Sequence, residues 1–146
     1  MFRGNHPARV DEKGRLKVPA EFKRLIDERY GSQFYITSRD GRVADVYPME
    51  EWERIEEKLA KVSNFNEAKK KFLARTNYYG QVVEVDAQGR VLLPVLLRES
   101  AELKGEVAVL GNLNYLEIRN MAMFQKEMQE NPFTAEDAKT LDELGI

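Results

Sequence analysis

The chain contains no cysteine and a single histidine, His6. The first absence excludes disulfides and cysteine-ligated metal sites, and it suits a reducing cytosol. The second leaves no His-rich metal site within one chain, and no Ser-His-Asp triad that does without His6. Long apolar runs are missing as well. None approaches the ~20 residues that a membrane helix needs. The opening Met1-Phe2-Arg3-Gly4-Asn5-His6-Pro7 has no apolar centre of the kind a secretory signal carries. A strong charge of one sign is absent too. The formal net charge is −2 over 146 residues, which argues against a protein that coats nucleic acid without regard to sequence. No metal, no cofactor, no membrane partner and no small-molecule substrate is expected.

What is present is the composition of a soluble globular protein, 42% hydrophobic and 33% charged. The charge is unevenly spread. Residues 1–24 hold seven cations against three acids, whereas residues 99–146 hold four cations against ten acids. A basic start and an acidic end suit a localised anionic partner, although ordinary solvated surface gives the same pattern.

The strongest signal is an internal repeat. Val10-Asp11-Glu12-Lys13-Gly14-Arg15-Leu16-Lys17-Val18-Pro19 aligns with Val85-Asp86-Ala87-Gln88-Gly89-Arg90-Val91-Leu92-Leu93-Pro94 at a constant offset of 75. Val, Asp, Gly, Arg and Pro are identical. Phe22 answers to Leu97, and Leu25-Ile26 answer loosely to Ser100-Ala101. Further on, Met49 and Trp52 echo Met121 and Phe124. Two copies make a duplicated domain, not a solenoid.

Asp followed three residues later by Gly is hairpin-turn chemistry. The carboxylate accepts from turn amides, and glycine tolerates the positive φ that closes the turn. Period-two apolar residues flank both turns, predicting strands with one buried face: Val10, Leu16 and Val18; then Val83, Val85, Val91 and Leu93. Pro19 and Pro94 fit a first helical turn. Phe22, Leu25 and Ile26 then give a short helix face that Gly31 ends. Second hairpins are predicted around Arg39-Asp40-Gly41 and around Gly111-Asn112. Between the copies, Met49, Trp52, Ile55, Leu59 and Val62 predict a helix after Pro48. Another follows with Ala68, Phe72 and Leu73, and Lys69-Lys70-Lys71 as its solvent face. Met121 to Met128 is predicted helical, with Phe124 inward. Residues 133–146 fit either a short helix or a frayed tail.

A Gly-Arg at a tight turn presents the arginine on a stiff platform. Its planar fork suits phosphate, or guanine O6 and N7. The competing reading is that Arg15 and Arg90 pair with Asp11 and Asp86 across their own hairpins and merely fix the turns. A catalytic pair made from the two aspartates is disfavoured. Each has a local turn role, and a neighbouring arginine lowers its pKa where proton sharing needs it raised. Trp52 and Phe124 read as core anchors. His6 reads as a surface or nucleic-acid-facing residue, and Gly4-Asn5, like Gly111-Asn112, as turn chemistry.

The string Val-Asp-x-x-Gly-Arg-(Val/Leu)-x-(Val/Leu)-Pro resembles the SpoVT/AbrB swapped-hairpin DNA-binding family. Two copies, the opening Met1-Phe2-Arg3-Gly4 and the later Leu116-Glu117-Ile118 resemble the MraZ family of bacterial transcriptional regulators over nearly the whole chain. The resemblance implies an α+β, mainly β fold, in which duplicated AbrB-type units form a pseudo-dimeric barrel with flanking helices. It implies a first repeat at 1–48, connecting helices at 49–77, a second repeat at 78–119 and a C-terminal helical segment at 120–146. It further implies a ring oligomer that binds double-stranded DNA at direct repeats upstream of its own operon, the cell-division and cell-wall gene cluster. Such a protein acts mainly as a repressor in the cytoplasm, associated with the nucleoid. In that family Asp-x-x-x-Arg carries DNA binding, which maps here to Asp11 with Arg15 and Asp86 with Arg90. The family commonly has a tryptophan where Arg119 stands.

The tips differ, Glu12-Lys13 against Ala87-Gln88. The first is therefore expected to make the stronger contact, through Arg15 with Lys13, Lys17 and Arg3 nearby. Two other readings compete. An antitoxin-like protein-binding module with an AbrB-type fold is one. An enzyme on a related barrel is the other, and the single histidine and shortage of activated nucleophiles weigh against it.

Overall fold

The alternating apolar residues do form hairpins, yet most of their strands pair with the other repeat. The computed structural model describes residues 1–146. The first Asp-x-x-Gly-Arg turn lies between β1 (Asn5–Val10) and β2 (Arg15–Lys17). Its second copy lies between β5 (Gln81–Glu84) and β6 (Arg90–Leu92). Each repeat adds a second hairpin: β3 (Gln33–Thr37) with β4 (Ala44–Pro48), and β7 (Gly105–Asn112) with β8 (Tyr115–Asn120). Helices α1 (Ala20–Arg29) and α4 (Val95–Ser100) bridge the two hairpins of each repeat. Helices α2 (Met49–Ala60) and α3 (Glu67–Tyr79) connect the repeats, and α5 (Met121–Glu130) and α6 (Ala135–Glu143) follow the second.

The strand order is β5-β3-β4-β8-β7-β1-β2-β6. Strand β1 pairs with β7 along its whole length, from Asn5↔Leu110 to Val10↔Gly105, but with its hairpin partner β2 only at Val10↔Leu16. Likewise β5 pairs with β3, from Gln33↔Glu84 to Ile36↔Gln81. Strand β2 lies on β6, and β4 lies on β8. The repeats have thus exchanged hairpins. The Asp86 N–H donates to the Arg90 carbonyl at 2.9 Å and draws β5 back to β6, so the barrel is nearly closed. Closure leaves little free edge for another chain to pair with.

The predicted inward residues are the ones buried. Val10, Leu16, Val18, Val91 and Leu93 face one core, with Phe22 and Ile26 from α1 and Leu97 from α4. Nineteen buried residues from both repeats form a single cluster, so neither repeat has a core of its own. Pro19, Pro48 and Pro94 each stand just before a helix with φ near −52° to −56°. A proline lacks an N–H that the helix start would leave unpaired. Trp52 is a core anchor as expected. It packs on Tyr35 (ring centroids 4.7 Å), Tyr47 (5.1 Å) and Phe72 (6.1 Å) and fastens α2 and α3 to the sheet. Stacked pairs of this kind add about 0.5–1.5 kcal/mol each beyond burial. The hydroxyls of Tyr35 and Thr37 donate to the Thr76 carbonyl at 3.0 and 2.6 Å and fix the end of α3.

Several local expectations are corrected. Gly111-Asn112 are not a turn; they belong to β7, opposite Leu116 and Tyr115. The turn is Leu113-Asn114, with Leu113 at φ +62°. Gly111 serves close approach instead. Its N–H donates to the Gly4 carbonyl at 2.8 Å, and a Cβ there would strike the backbone of Phe2 and Arg3. Gly31 takes no left-handed cap; α1 ends at extended Tyr30. Lys69 does not simply face solvent. Its Nζ donates to the Val62 carbonyl and Asn64 Oδ1 at 2.8 and 2.9 Å, closing the α2–α3 connection. Phe124 is no core anchor: it is half-buried, with the Arg119 guanidinium 5.1 Å over its ring. Of the two readings for the end of the chain, a helix forms. Thr134 and Asp137 make a capping box at the start of α6, though α6 buries none of its side chains.

Candidate nucleic-acid interface

Both Asp-x-x-Gly-Arg turns adopt one geometry. Asp11 Oδ1 accepts from the backbone N–H groups of Lys13 and Arg15, each at 2.9 Å, and Oδ2 accepts from Arg15 Nε at 3.0 Å. Asp86 does the same with Gln88 N, Arg90 N (2.9 Å each) and Arg90 Nε (3.1 Å). Gly14 and Gly89 sit at φ +82° and +78°, the left-handed region that glycine enters without penalty. The Arg15 backbone N–H, followed by its side chain, holds the Asp11 carboxyl below its ordinary pKa; Arg90 and Gln88 do so for Asp86. A lowered pKa is the opposite of what a proton-sharing pair requires.

The pairing of each arginine with its own aspartate is present, and it leaves part of each guanidinium free. Each aspartate reaches the guanidinium through Nε alone, and Nη1 and Nη2 hydrogen-bond no protein group. The guanidinium is therefore oriented by one edge and open at the other. About a third of each arginine side chain is exposed, 31% for Arg15 and 29% for Arg90.

Register then assembles the surface. Leu16 and Val91 are paired and point inward. Successive strand residues alternate faces, so Arg15, Lys17, Arg90 and Leu92 share the outer face of the β2–β6 ribbon. Lys17 stands opposite Arg90, and Arg15 opposite Leu92. Diagonal neighbours in such a ladder are roughly 7–8 Å apart, which places Arg15 and Arg90 side by side. Lys13 extends from the tip of the first turn, using only its backbone N–H.

Each turn is clamped by the opposite repeat. The Leu93 N–H donates to the Gly14 carbonyl at 3.0 Å, and the Val18 N–H to the Gly89 carbonyl at 2.9 Å. Above Gly14 lies the guanidinium of Arg98 on α4, whose Nε donates to the Leu93 carbonyl at 3.1 Å. Lys23 of α1 takes the equivalent place beside Gly89, its Nζ bound to Asp27 at 2.6 and 2.8 Å. Arg98 was missed in the sequence, although it stands 75 positions after Lys23. A cleft beside the second turn is lined by Lys17, Lys23, Arg24, Gln88 and Gly89, with Asp27 and Glu28. The second tip is therefore not bare of charge, as its own residues Ala87-Gln88 suggested. The first repeat supplies its cations across the exchange.

Two residues singled out in the sequence lie away from the ribbon. Arg3 is at the far end of β1 from the first turn, and six strand residues at ~3.3 Å each put it about 20 Å away. His6 is half-buried, its ring edge-on to Phe22 at 4.8 Å and its Nε2 3.2 Å from Glu21, so it faces α1 and not an external partner. No helix of the protein is long and apolar enough to cross a membrane.

This geometry can be set beside known proteins. A family model described as "MraZ protein, putative antitoxin-like" matches residues 1–75 and again residues 80–144. A protein named transcriptional regulator MraZ from Acidobacterium capsulatum is 64% identical over 146 residues, the full length of both chains. Its namesake from Koribacter versatilis is 60% identical over 147 residues, again at full length. One from Caldicellulosiruptor saccharolyticus is 35% identical over 148 residues, covering both chains completely. Two model matches, one per repeat, and full-length identity of this order place the chain: it belongs to the MraZ family.

Proposed function

We propose that the chain is a sequence-specific DNA-binding transcriptional regulator, acting as a repressor of its own operon, the cell-division and cell-wall gene cluster. It works in the cytoplasm on nucleoid DNA, as a ring oligomer facing direct repeats. The observation that carries this reading is the pair of arginines held by Nε with both Nη groups open, side by side on one two-stranded ribbon. A two-stranded ribbon fits the major groove, and an open guanidinium edge matches guanine O6 and N7 or a phosphate. The names of the relatives point the same way. Arg15, Arg90, Lys13 and Lys17 make the contact; Asp11 and Asp86 aim the arginines. Arg3 lies too far from the ribbon to share its contact and would reach a separate phosphate.

A ring gains affinity over a single ribbon because each further contact is intramolecular. Light scattering checks this, and a monomer in dilute solution would remove the avidity argument. The main test is a gel shift on the upstream region. Arg15→Ala should weaken binding by about 1–3 kcal/mol for each base that the arginine reads. Affinity should fall with salt at a log–log slope of roughly −0.9 per neutralised phosphate. An unchanged shift sinks the site assignment, and a flat salt profile sinks DNA as the partner.

The antitoxin-like reading has two points in its favour, the description of the matching family model and the helix α6 that buries no side chain. A toxin gene next to this one would favour it. A methyltransferase and cell-wall synthesis genes would favour the repressor.

A further inference from the structure

Far from the turns, two carboxylates meet where β4 lies against β8. Asp45 stands directly opposite Glu117 in the ladder. They are counterparts. The match of Met49 and Trp52 with Met121 and Phe124 has an offset of 72, which equates Asp45 with Glu117 and Tyr47 with Arg119. The pair therefore straddles the axis that relates the repeats. Like charges directly opposite in a ladder destabilise it.

Asp45 is only 2% exposed, and its Oδ1 has no hydrogen-bond partner. Its nearest cation is Arg39, with Nε 3.6 Å from Oδ2. The other groups facing it are Asp40 from the β3–β4 turn, Tyr47 on its own strand, and Tyr115, Glu117 and Arg119 on β8. Tyr47 and Tyr115 stack at 4.4 Å and help shut out water. Arg119 links this group to α5. One Nη donates to Glu117 at 3.3 Å and the other to Glu127 of α5 at 2.9 Å, with the guanidinium over Phe124. Its Nε is buried without a partner. Helix α5 has no fully buried side chain, so this tether joins half-buried Met121 and Phe124 in holding it.

We propose that Asp45 is a proton-operated latch for the C-terminal helices. While its carboxyl is protonated, Arg119 is shared between Glu117 and Glu127 and keeps α5 on the barrel. When the O–H bond breaks and the proton leaves to water, a second negative charge appears beside Glu117. Arg119 is drawn to the seam and off Glu127, and α5 and α6 loosen. A buried charge without hydrogen bonds is costly, and recruiting Arg119 relieves that cost.

Burial raises the Asp45 pKa to about 7; Arg39 opposes the rise and Glu117 adds to it. For an acid raised in the closed form, closure is favoured at low pH and lost as pH rises towards the raised value. The closed form should therefore be more populated at pH 5 than at pH 7.

The test is hydrogen exchange of residues 121–130 from pH 5 to pH 7.5, corrected for intrinsic base catalysis, together with a carbon-13 titration of the Asp45 carboxyl. The opening equilibrium of α5 should rise about tenfold per pH unit, up to about a hundredfold from pH 5 to pH 7. Asp45→Asn should flatten that rise and keep α5 protected at pH 7.5. Glu127→Gln should loosen α5 at every pH and, by the same linkage, move the Asp45 titration down from neutrality. Titration of Asp45 in the ordinary carboxylate range overturns the latch without any variant. So does an Asp45→Asn protein that keeps the wild-type pH dependence.

Discussion

The two Asp-x-x-Gly-Arg turns are almost superimposable in their bonds and unlike in their surroundings. In both, one carboxylate takes two amides at 2.9 Å and one Nε at 3.0 or 3.1 Å. Around the first turn stand Lys13 and Arg98, and the adjoining cleft is mainly acidic, with Glu12, Glu99 and Glu102 beside Lys104. Around the second stand Lys17, Lys23 and Arg24. The geometry of a turn is set by five consecutive residues. Its electrostatic setting is set by whichever strand and helix the fold delivers from the other repeat. Charge counted along the chain therefore does not show that Lys17, Lys23 and Arg24 stand beside the second tip.

That comparison can be broken experimentally. The largest effect should come from Arg90→Ala. If the ribbon acts as a unit, it should weaken DNA binding by about 1–3 kcal/mol, the loss also expected of Arg15→Ala. A gel shift in which Arg90→Ala binds like wild type would return all recognition to the first turn.

Next is the pair Gly14→Ala and Gly89→Ala, read by urea denaturation. Both put a side chain at positive φ, costing about 1–2 kcal/mol. Gly14→Ala must also displace the Arg98 guanidinium, whereas the space beside Gly89 holds only Lys23 Cε at 4.0 Å. Gly14→Ala should be the more damaging; equal losses would mean that Arg98 yields freely.

The smallest effect should be that of Leu92→Lys. Leu92 is 53% exposed and occupies the place that Lys17 holds in the first repeat. A lysine there should steepen the salt dependence by about 0.9 in log–log slope if it reaches a phosphate. No change in slope would place Leu92 outside the footprint.

Much of the fold was legible in the sequence. The constant offset of 75 gave the duplication, and the alternation of Val10, Leu16, Val18, Val91 and Leu93 gave the buried faces. The roles of Asp11 and Asp86 followed from turn chemistry. Alternation says which side of a strand is buried but not which strand lies beside it, so the exchange itself came only through the family resemblance. The failures share that cause. Arg98 and Lys23 gain their positions by pairing across repeats, and Arg3 loses proximity because β1 runs away from the turn. Gly111-Asn112 looked like a turn because a glycine needed for backbone approach carries the same letters as one needed for a bend. Phe124 kept the spacing of an anchor, but Arg119 took the place opposite it.

The hairpin exchange also bears on how the chain must fold. Each strand of the first turn finds its long partner in the second repeat, β1 on β7 and β2 on β6. During synthesis, a chain that has reached only α3 holds β1 and β2 with open edges and half of a shared core. Such edges invite pairing with other chains, and contacts so distant in sequence form slowly. The first repeat cannot fold ahead of the second and wait for it. The interval until β7 emerges is when this protein is most exposed to pairing with another nascent copy of itself.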